Sequence, residues 1–135
     1  MKKKIKKQPT QKQFFDWVEK RMVYYRHLLN INNWQVHIEK KLKKDDDGTS
    51  METHFTDEGY TKVTLAIYEC SFERFKKKDW QDLNRSILHE MLHIVMRDFE
   101  LIAWDRFTTK NQLRENRERL VENLTVIIDR MDNKI

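Results

Sequence analysis

The sequence predicts an α+β domain with one N-terminal helix, a small three-stranded, largely antiparallel sheet and two C-terminal helices. Apolar residues recur at helical spacing near both ends of the chain. They alternate with polar residues over three short segments between positions 34 and 67, as in half-buried strands. A long apolar stretch from Leu83 to Phe99 is compatible with a further helix. The length of 135 residues is typical of a single domain with a real core.

The first helix is predicted from about residue 10 to residue 29. Thr10 and Gln13 form a capping-box pattern after Pro9, in which the two side chains satisfy backbone N–H groups of the first turn. Six apolar residues at helical spacing form one side of this helix: Phe14, Trp17, Val18, Met22, Tyr25 and Leu28. Residues 1–9 are predicted to be a flexible basic tail, and residues 10–135 a single domain.

Three strands are predicted from alternating apolar positions. Their markers are Trp34, Val36 and Ile38, then Met51, Thr53 and Phe55, and finally Val63, Leu65 and Ile67. The segment 43–50, with three aspartates and Gly48, predicts a hairpin loop between the first two strands. The residues Asp57-Glu58-Gly59 predict a turn before the third strand.

Two further helices complete the predicted order. Residues 70–78 are predicted to be irregular or a short helical turn. Asp79 is the predicted N-cap of the next helix, which starts near Trp80. That helix is expected to pack five apolar side chains: Leu83, Ile87, Met91, Ile94 and Val95. The last helix is predicted from about residue 109 to 131, with an apolar stripe centred between Leu120 and Val121. The stripe contains Leu113, Leu120, Val121, Leu124, Ile127, Ile128 and Met131.

The pentapeptide His89-Glu90-Met91-Leu92-His93 carries the clearest chemistry in the chain. Two histidines four positions apart lie on one helix face, so both imidazoles can reach one Zn²⁺ ion. Glu90 lies about 100° around the helix from His89, where a carboxylate can hold a water molecule without ligating the metal. Six neighbouring positions are apolar, as in packed metalloprotease helices: Ile87, Leu88, Met91, Leu92, Ile94 and Val95. The motif predicts a zinc hydrolase; the alternative is a buried helix that carries these residues by chance.

A catalytic zinc ion needs a third protein ligand and keeps its fourth position for water. Met96 and Phe99 stand where a metzincin would have Gly and His, so we expect a carboxylate instead. The last helix offers Glu115, Glu118 and Glu122. At about 100° per residue, Glu118 lies nearest the edge of the apolar stripe and is the first choice, with Glu122 second. An ordinary charged helix face is the alternative for all three.

The motif helix and the stretch from Glu118 to Leu124 together resemble the zincin superfamily of the glutamate-ligand type. More narrowly, they resemble small metallopeptidase-like proteins of phages and prophages, and distantly the ImmA/IrrE group. In that group the third ligand opens an E-x-x-A-N-x-F-A stretch. Glu118 falls on its glutamate and Leu124 on its aromatic position, whereas Val121 and Glu122 replace Ala and Asn.

This resemblance implies a minimal zincin-like fold, a zinc cofactor and peptide-bond hydrolysis. It assigns His89, His93 and Glu118 as metal ligands and Glu90 as the catalytic base. By motif it covers the C-terminal part of the chain, and it leaves the substrate open.

Composition and charge bear on nucleic-acid binding, membrane association and cellular compartment. Lysine and arginine number 27 against 22 acidic residues, and five lysines between positions 2 and 7 account for the excess. Such a run is typical of a solvated terminus, with nucleic-acid contact as the alternative. The chain has no apolar stretch of about 18 residues and no signal-peptide pattern, so we expect no membrane association. Cys70 is the single cysteine, which favours a cytoplasmic protein without disulfides. The oligomeric state stays open.

We therefore expect a zinc metallopeptidase that hydrolyses peptide bonds of a protein or peptide substrate. Glu90 would take a proton from water and deliver it to the leaving amine. His54, Tyr60 and Tyr68 are alternative donors for the oxyanion. Two other functions stay open: a catalytically silent zinc-binding regulatory module of phage origin, and a nucleic-acid-associated SprT-like protease. The chain lacks the C-x-x-C zinc ribbon that would favour the last one.

Overall fold

A computed structural model of the chain describes residues 7–55, 61–104 and 110–132. Its elements are α1 (Gln11–Leu28), β1 (Gln35–Ile38), β2 (Met51–Phe55), β3 (Lys62–Ile67), α2 (Glu69–Lys76), α3 (Trp80–Trp104) and α4 (Lys110–Asp132). The predicted α+β class is confirmed. Most of the lysine tail, the predicted turn at 57–59 and Tyr60 lie outside the described residues. Across the described ranges, no helix has the length and apolar character needed to span a bilayer.

The capping box predicted for α1 is present. The Gln13 backbone N–H donates to Thr10 Oγ1 at 3.2 Å, and the Thr10 N–H donates to Gln13 Oε1 at 2.9 Å. Both bonds satisfy donors that the first turn leaves without helical partners. The apolar side of α1 enters the core as predicted, except that Leu28 in the last turn is exposed.

The sheet has the order β1-β3-β2, with β1 parallel and β2 antiparallel to β3. It is therefore mixed rather than largely antiparallel, and the prediction of a hairpin loop at 43–50 is wrong. After β1 the chain runs on beside the end of β3, where Lys43 forms a parallel bridge with Tyr68, before it reverses into β2. The third strand takes the centre because it is the most apolar: Leu65 and Ile67 are fully buried.

The segment after β3 contains more helix than predicted. α2 has eight residues, whereas the sequence predicted irregular structure or one turn. Asp45, in the segment between β1 and β2, stabilises the start of α2. The Asp45 Oδ1 atom accepts a hydrogen bond from the Cys70 backbone N–H at 2.8 Å. Phe72 and Phe75 lie on one face of α2, and both rings contact Phe14 of α1. This long-range aromatic packing was not visible in the local pattern.

The long helix α3 starts at Trp80, as predicted from Asp79, and its first four predicted core residues are buried. The prediction that Val95 packs in the core is wrong, because 41% of this residue's surface is exposed. α1 packs alongside the first turns of α3, where Trp17 contacts Trp80 and Arg21 bonds to Asn84. Because α1 ends soon after these contacts, it does not reach far enough to cover Val95.

The apolar stripe predicted on α4 is confirmed only in part, since Val121 is buried and Leu124 and Ile128 pack against the core. Leu120, Ile127 and Met131 are exposed, whereas Val121, Thr125 and Asp129 are buried against the rest of the fold. The side chain of Leu113 lies outside the described part. The buried face of α4 thus includes polar residues, and Arg85 of α3 donates to Asp129 Oδ2 at 2.9 Å. This orientation of the helix turns Glu118 and Glu122 toward α3, where the motif histidines lie.

Candidate metal centre

His89 and His93 stand one helical turn apart on the face of α3 that meets α4. Their Nε2 atoms lie 3.2 Å apart, and the two rings meet edge to face at 72°. The (i, i+4) spacing places both rings on one face, as the motif predicted. The two imidazoles therefore converge on a common point.

Glu118 reaches the same point from α4. Its Oε2 is 3.5 Å from His89 Nε2, and its Oε1 is 3.4 Å from His93 Nε2. In the described part of the chain, these three residues form the one group whose donor atoms all lie within 4.8 Å of one another. His89, His93 and Glu118 could therefore hold a metal ion together.

The spacing of these donors can be compared with that of a zinc site. Two ligands at about 2.05 Å from a metal, at the tetrahedral angle, lie roughly 3.3 Å apart. The separation of 3.2 Å between the two Nε2 atoms and that of 3.5 Å between His89 Nε2 and Glu118 Oε2 are close to this value, and Oε1 is the Glu118 oxygen 3.4 Å from His93 Nε2. Two imidazole nitrogens and a carboxylate are also a donor set that zinc prefers. Geometry and chemistry both fit.

Glu122 contacts the other nitrogen of His89. Its Oε2 lies 3.1 Å from His89 Nδ1, on the far side of the ring from the Nε2 cluster. With the hydrogen on Nδ1, the ring donates to Glu122 and keeps the Nε2 lone pair for a metal. The structure thus places the second-choice ligand where it can orient His89 rather than join the three donors.

His93 is mostly buried, with 9% of its surface exposed. Burial lowers the pKa of His93 to about 4, and the charge of Glu118 only partly opposes this shift. The imidazole is therefore neutral near pH 7. A neutral ring is the form that ligates a metal.

Glu90 is a buried carboxyl group beside the three donors. Its Oε2 accepts a hydrogen bond from the Thr53 hydroxyl of β2, and the Thr53 hydroxyl also lies 3.4 Å from the Glu90 carbonyl oxygen. Burial raises the pKa of Glu90 to about 8, and the Thr53 bond lowers it by less than burial raises it. Such a shift is typical of a general acid or base.

A cleft between β2 and the two long helices contains these groups. It consists of two adjoining cavities of about 350 and 250 Å³, and His89 and Glu90 line both. Glu118 and His93 line the larger cavity, and Glu122 lines the smaller. Among the described residues β2 is an edge strand of the sheet, so one wall of the cleft is formed by an edge strand.

The oxyanion donors proposed from the sequence are not brought into this cleft. His54 lies 3.5 Å from Glu52, and the Tyr68 hydroxyl donates to Glu52 at 2.9 Å. Neither side chain lines either cavity. Alternate residues of a strand face opposite sides, so His54 points away from the side on which Thr53 meets Glu90. Tyr60 is outside the described residues.

Three residues near the site were given no role there from the sequence: Thr53, Glu100 and Arg117, the last of which is expected only as an ion-pair partner of the glutamates on an ordinary charged helix face. Thr53 bonds to Glu90, and Arg117 donates to Glu118 Oε1 at 3.2 Å. Glu100 is 1% exposed and pairs with Arg117. Glu100 left a signal, since it is an acidic residue directly between the apolar residues Phe99 and Leu101.

Comparisons with protein-family models, with curated proteins and with solved structures found no match to this chain.

Proposed function

We propose that this protein is a zinc-dependent peptidase. The observation that carries the proposal is that three metal-ligating side chains, with donor atoms within 4.8 Å of one another, share one cleft with a buried carboxyl group of raised pKa. His89, His93 and Glu118 would hold the ion. Glu90 would handle protons, because it lines the same cleft without belonging to the donor group.

The chemistry divides between the metal and Glu90. Bound zinc acts as a Lewis acid and makes water acidic enough to lose a proton near neutral pH. Glu90 accepts that proton when it is ionised and returns it to the leaving amine. A divalent cation nearby favours the ionised form of Glu90, because positive charge lowers the pKa of an adjacent carboxyl group. Thr53 fixes the carboxyl group by its hydrogen bond to Oε2.

The wall formed by β2 supports an extended peptide as substrate. An edge strand offers backbone N–H and C=O groups, to which a peptide can add as a further strand. β2 also carries Thr53, so a peptide paired with it would lie beside Glu90. The larger cavity of about 350 Å³ is at the small end of ligand pockets, which favours a few side chains rather than deep specificity.

Zinc analysis and peptide cleavage test the proposal together. We expect one zinc per chain and slow hydrolysis of an unstructured protein substrate, with both lost in the His93→Ala variant. Glu90→Gln should keep the zinc and lose hydrolysis by at least about a hundredfold, the range expected for a general base. Glu115→Gln, an exposed position on α4, is the matched control. Unchanged hydrolysis in Glu90→Gln would reject the role of this residue.

A catalytically silent zinc-binding module is the second candidate. The raised pKa of Glu90 favours it, since burial keeps this carboxyl group in its neutral form and outweighs the opposing effect of the Thr53 bond. It predicts one zinc per chain without cleavage of any peptide in a broad library. The assay that tests the peptidase therefore separates the two functions.

A further inference from the structure

A buried charge cluster lies next to the third metal ligand. Glu100 of α3 is almost fully buried, with 1% of its surface exposed. Arg117 of α4 places Nε 3.3 Å from Glu100 Oε1 and donates from Nη1 to Oε2 at 3.3 Å. Arg97, one turn before Glu100, has its Nη1 3.6 Å from Glu100 Oε2. Two guanidinium groups thus compensate one buried carboxylate.

The same cluster continues to Glu118. Arg117 Nη2 donates to Glu118 Oε1 at 3.2 Å, while its other nitrogens face Glu100. Only arginine can do this, because its planar fork presents several donors in a fixed geometry. Glu118 is itself half-exposed, at 46% for its side chain, so little packing holds its carboxylate in place. Arg117 supplies the missing restraint.

We propose that Arg117, held by Glu100, is a positioning residue for the metal site. Its bond to Oε1 uses a lone pair of the oxygen that lies nearer His93 and leaves Oε2, 3.5 Å from His89 Nε2, without this donor, so that the carboxylate would bind the ion through Oε2 alone. A ligand that binds through one oxygen keeps the fourth position open for water, as a catalytic zinc site requires. This inference rests on the proposed metal centre, and it adds that Arg117 and Glu100 orient Glu118, the third ligand of that centre.

Glu100 is the part of the cluster that determines where Arg117 points. Arg117 has 22% of its side chain exposed, so without Glu100 its guanidinium group can turn toward water. Glu118 would then lose its restraint, although no metal ligand had been changed. Loss of such an outer partner typically weakens metal binding by about 10- to 100-fold.

Zinc affinity and cobalt absorption test this inference in the full-length protein. Arg117→Met and Glu100→Gln should each raise the zinc Kd by about 10- to 100-fold. Their double variant should lose little more than either single variant, since both act through Glu118. Arg117→Lys keeps the charge but not the fork, and we expect it to restore less than half of the loss in binding free energy. In the cobalt-substituted variants, visible absorption should weaken as Glu118 begins to bind through both oxygens.

Asp129→Asn is the matched control. Asp129 is a buried carboxylate, 6% exposed, that also pairs with an arginine across α3 and α4. It lies about 16 Å along the helix from Glu118, so we expect a loss of folding stability with a change in zinc Kd below about twofold.

Three outcomes overturn the inference. Equal zinc affinity and cobalt absorption in wild type and Arg117→Met would reject the positioning role and leave the proposed function standing. If Arg117→Met does not fold, wild-type zinc affinity and cobalt absorption in Arg117→Lys would reject the positioning role equally. A wild-type protein that binds no zinc would remove both the inference and the proposed function.

Discussion

At the scale of single residues, the buried carboxyl group of Glu90 affects the folding stability of the protein. Its carboxyl group is 7% exposed, and its partner in the structure is a neutral hydroxyl group, that of Thr53. A buried carboxylate without a cationic partner is costly, so the group keeps its proton to a higher pH than usual. A hydrophobic residue would serve the fold better here, and the presence of a glutamate is therefore typical of function.

The raised pKa of Glu90 predicts how the stability of the metal-free protein depends on pH. The folded-state pKa of about 8 lies above the unfolded value of 4.5, so the folded state binds the extra proton between these limits. Its contribution to stability is complete below pH 4.5 and is lost as the pH rises through about 8. Glu90→Gln cannot ionise and should be more stable than wild type at pH 8, on the order of a few kcal/mol.

Urea unfolding at pH 5, 6.5 and 8, in the presence of a chelator, measures this difference. Glu115→Gln removes an exposed carboxylate and should follow the wild-type pH dependence. Parallel curves for wild type and Glu90→Gln would show that Glu90 ionises normally in the folded protein.

Glu122 predicts a second effect at the residue scale. Its carboxylate accepts from His89 Nδ1, so it favours the tautomer that leaves Nε2 free for zinc. Glu122→Ala should raise the zinc Kd by about 10- to 100-fold, whereas Glu115→Ala on the exposed side of the same helix should not. Competition with a zinc-binding dye measures both. A loss of all zinc binding in Glu122→Ala would instead make Glu122 a ligand.

At the scale of helices and strands, local sequence patterns were sufficient to predict some structural features and insufficient to predict others. The capping box of Thr10 and Gln13 and the histidine pair of α3 depend on residues within one turn, so the sequence predicted them. The strand order does not depend on local pattern: segment 43–50 reads as a hairpin loop but leads the chain past the end of β3. Short-range signals cannot decide between these two paths.

The residues of the candidate site also divide into those that local sequence patterns predict and those that they do not. Glu118 could be predicted as the candidate third ligand from the sequence, because the angular positions of the three glutamates on one helix limit the choice. The roles of Thr53 and Arg117 could not be predicted in this way, since they depend on which elements meet α3. The exposed Leu120 and the buried Asp129 show why hydrophobicity alone misplaces the buried face of α4, since a buried ion pair with Arg85 leaves no apolar signal.

The capping box allows a prediction for α1. Thr10→Ala removes the acceptor for the Gln13 N–H and should lower the free energy of unfolding by about 1 kcal/mol. Lys12→Ala, an exposed change in the same turn, should have a smaller effect. Chemical denaturation compares the two. Equal stability of both variants would mean that water replaces the cap at no cost.

At the scale of the whole molecule, polar contacts between described residues join α3 and α4 at three places along their length. The Arg85–Asp129 ion pair links one region, the cluster of His89, His93 and Glu118 links a second, and the Arg117–Glu100 pair links a third. The second link brings two imidazoles and a carboxylate together. Since Glu118 is half-exposed, its contacts with the histidines add little to stability without a metal.

Zinc should therefore act as a crosslink between α3 and α4. At a free zinc concentration one hundred times the Kd, binding to the folded state alone adds about 2.7 kcal/mol. For a chain of this length, that gain should raise Tm by roughly 5–10 °C, and a chelator should reverse it. Thermal unfolding of wild type and Glu118→Gln, each with zinc or with magnesium, measures the effect. Magnesium should leave Tm unchanged, because it prefers an octahedral set of oxygen ligands. An equal rise in Glu118→Gln would mean that zinc stabilises the protein elsewhere than between these two helices.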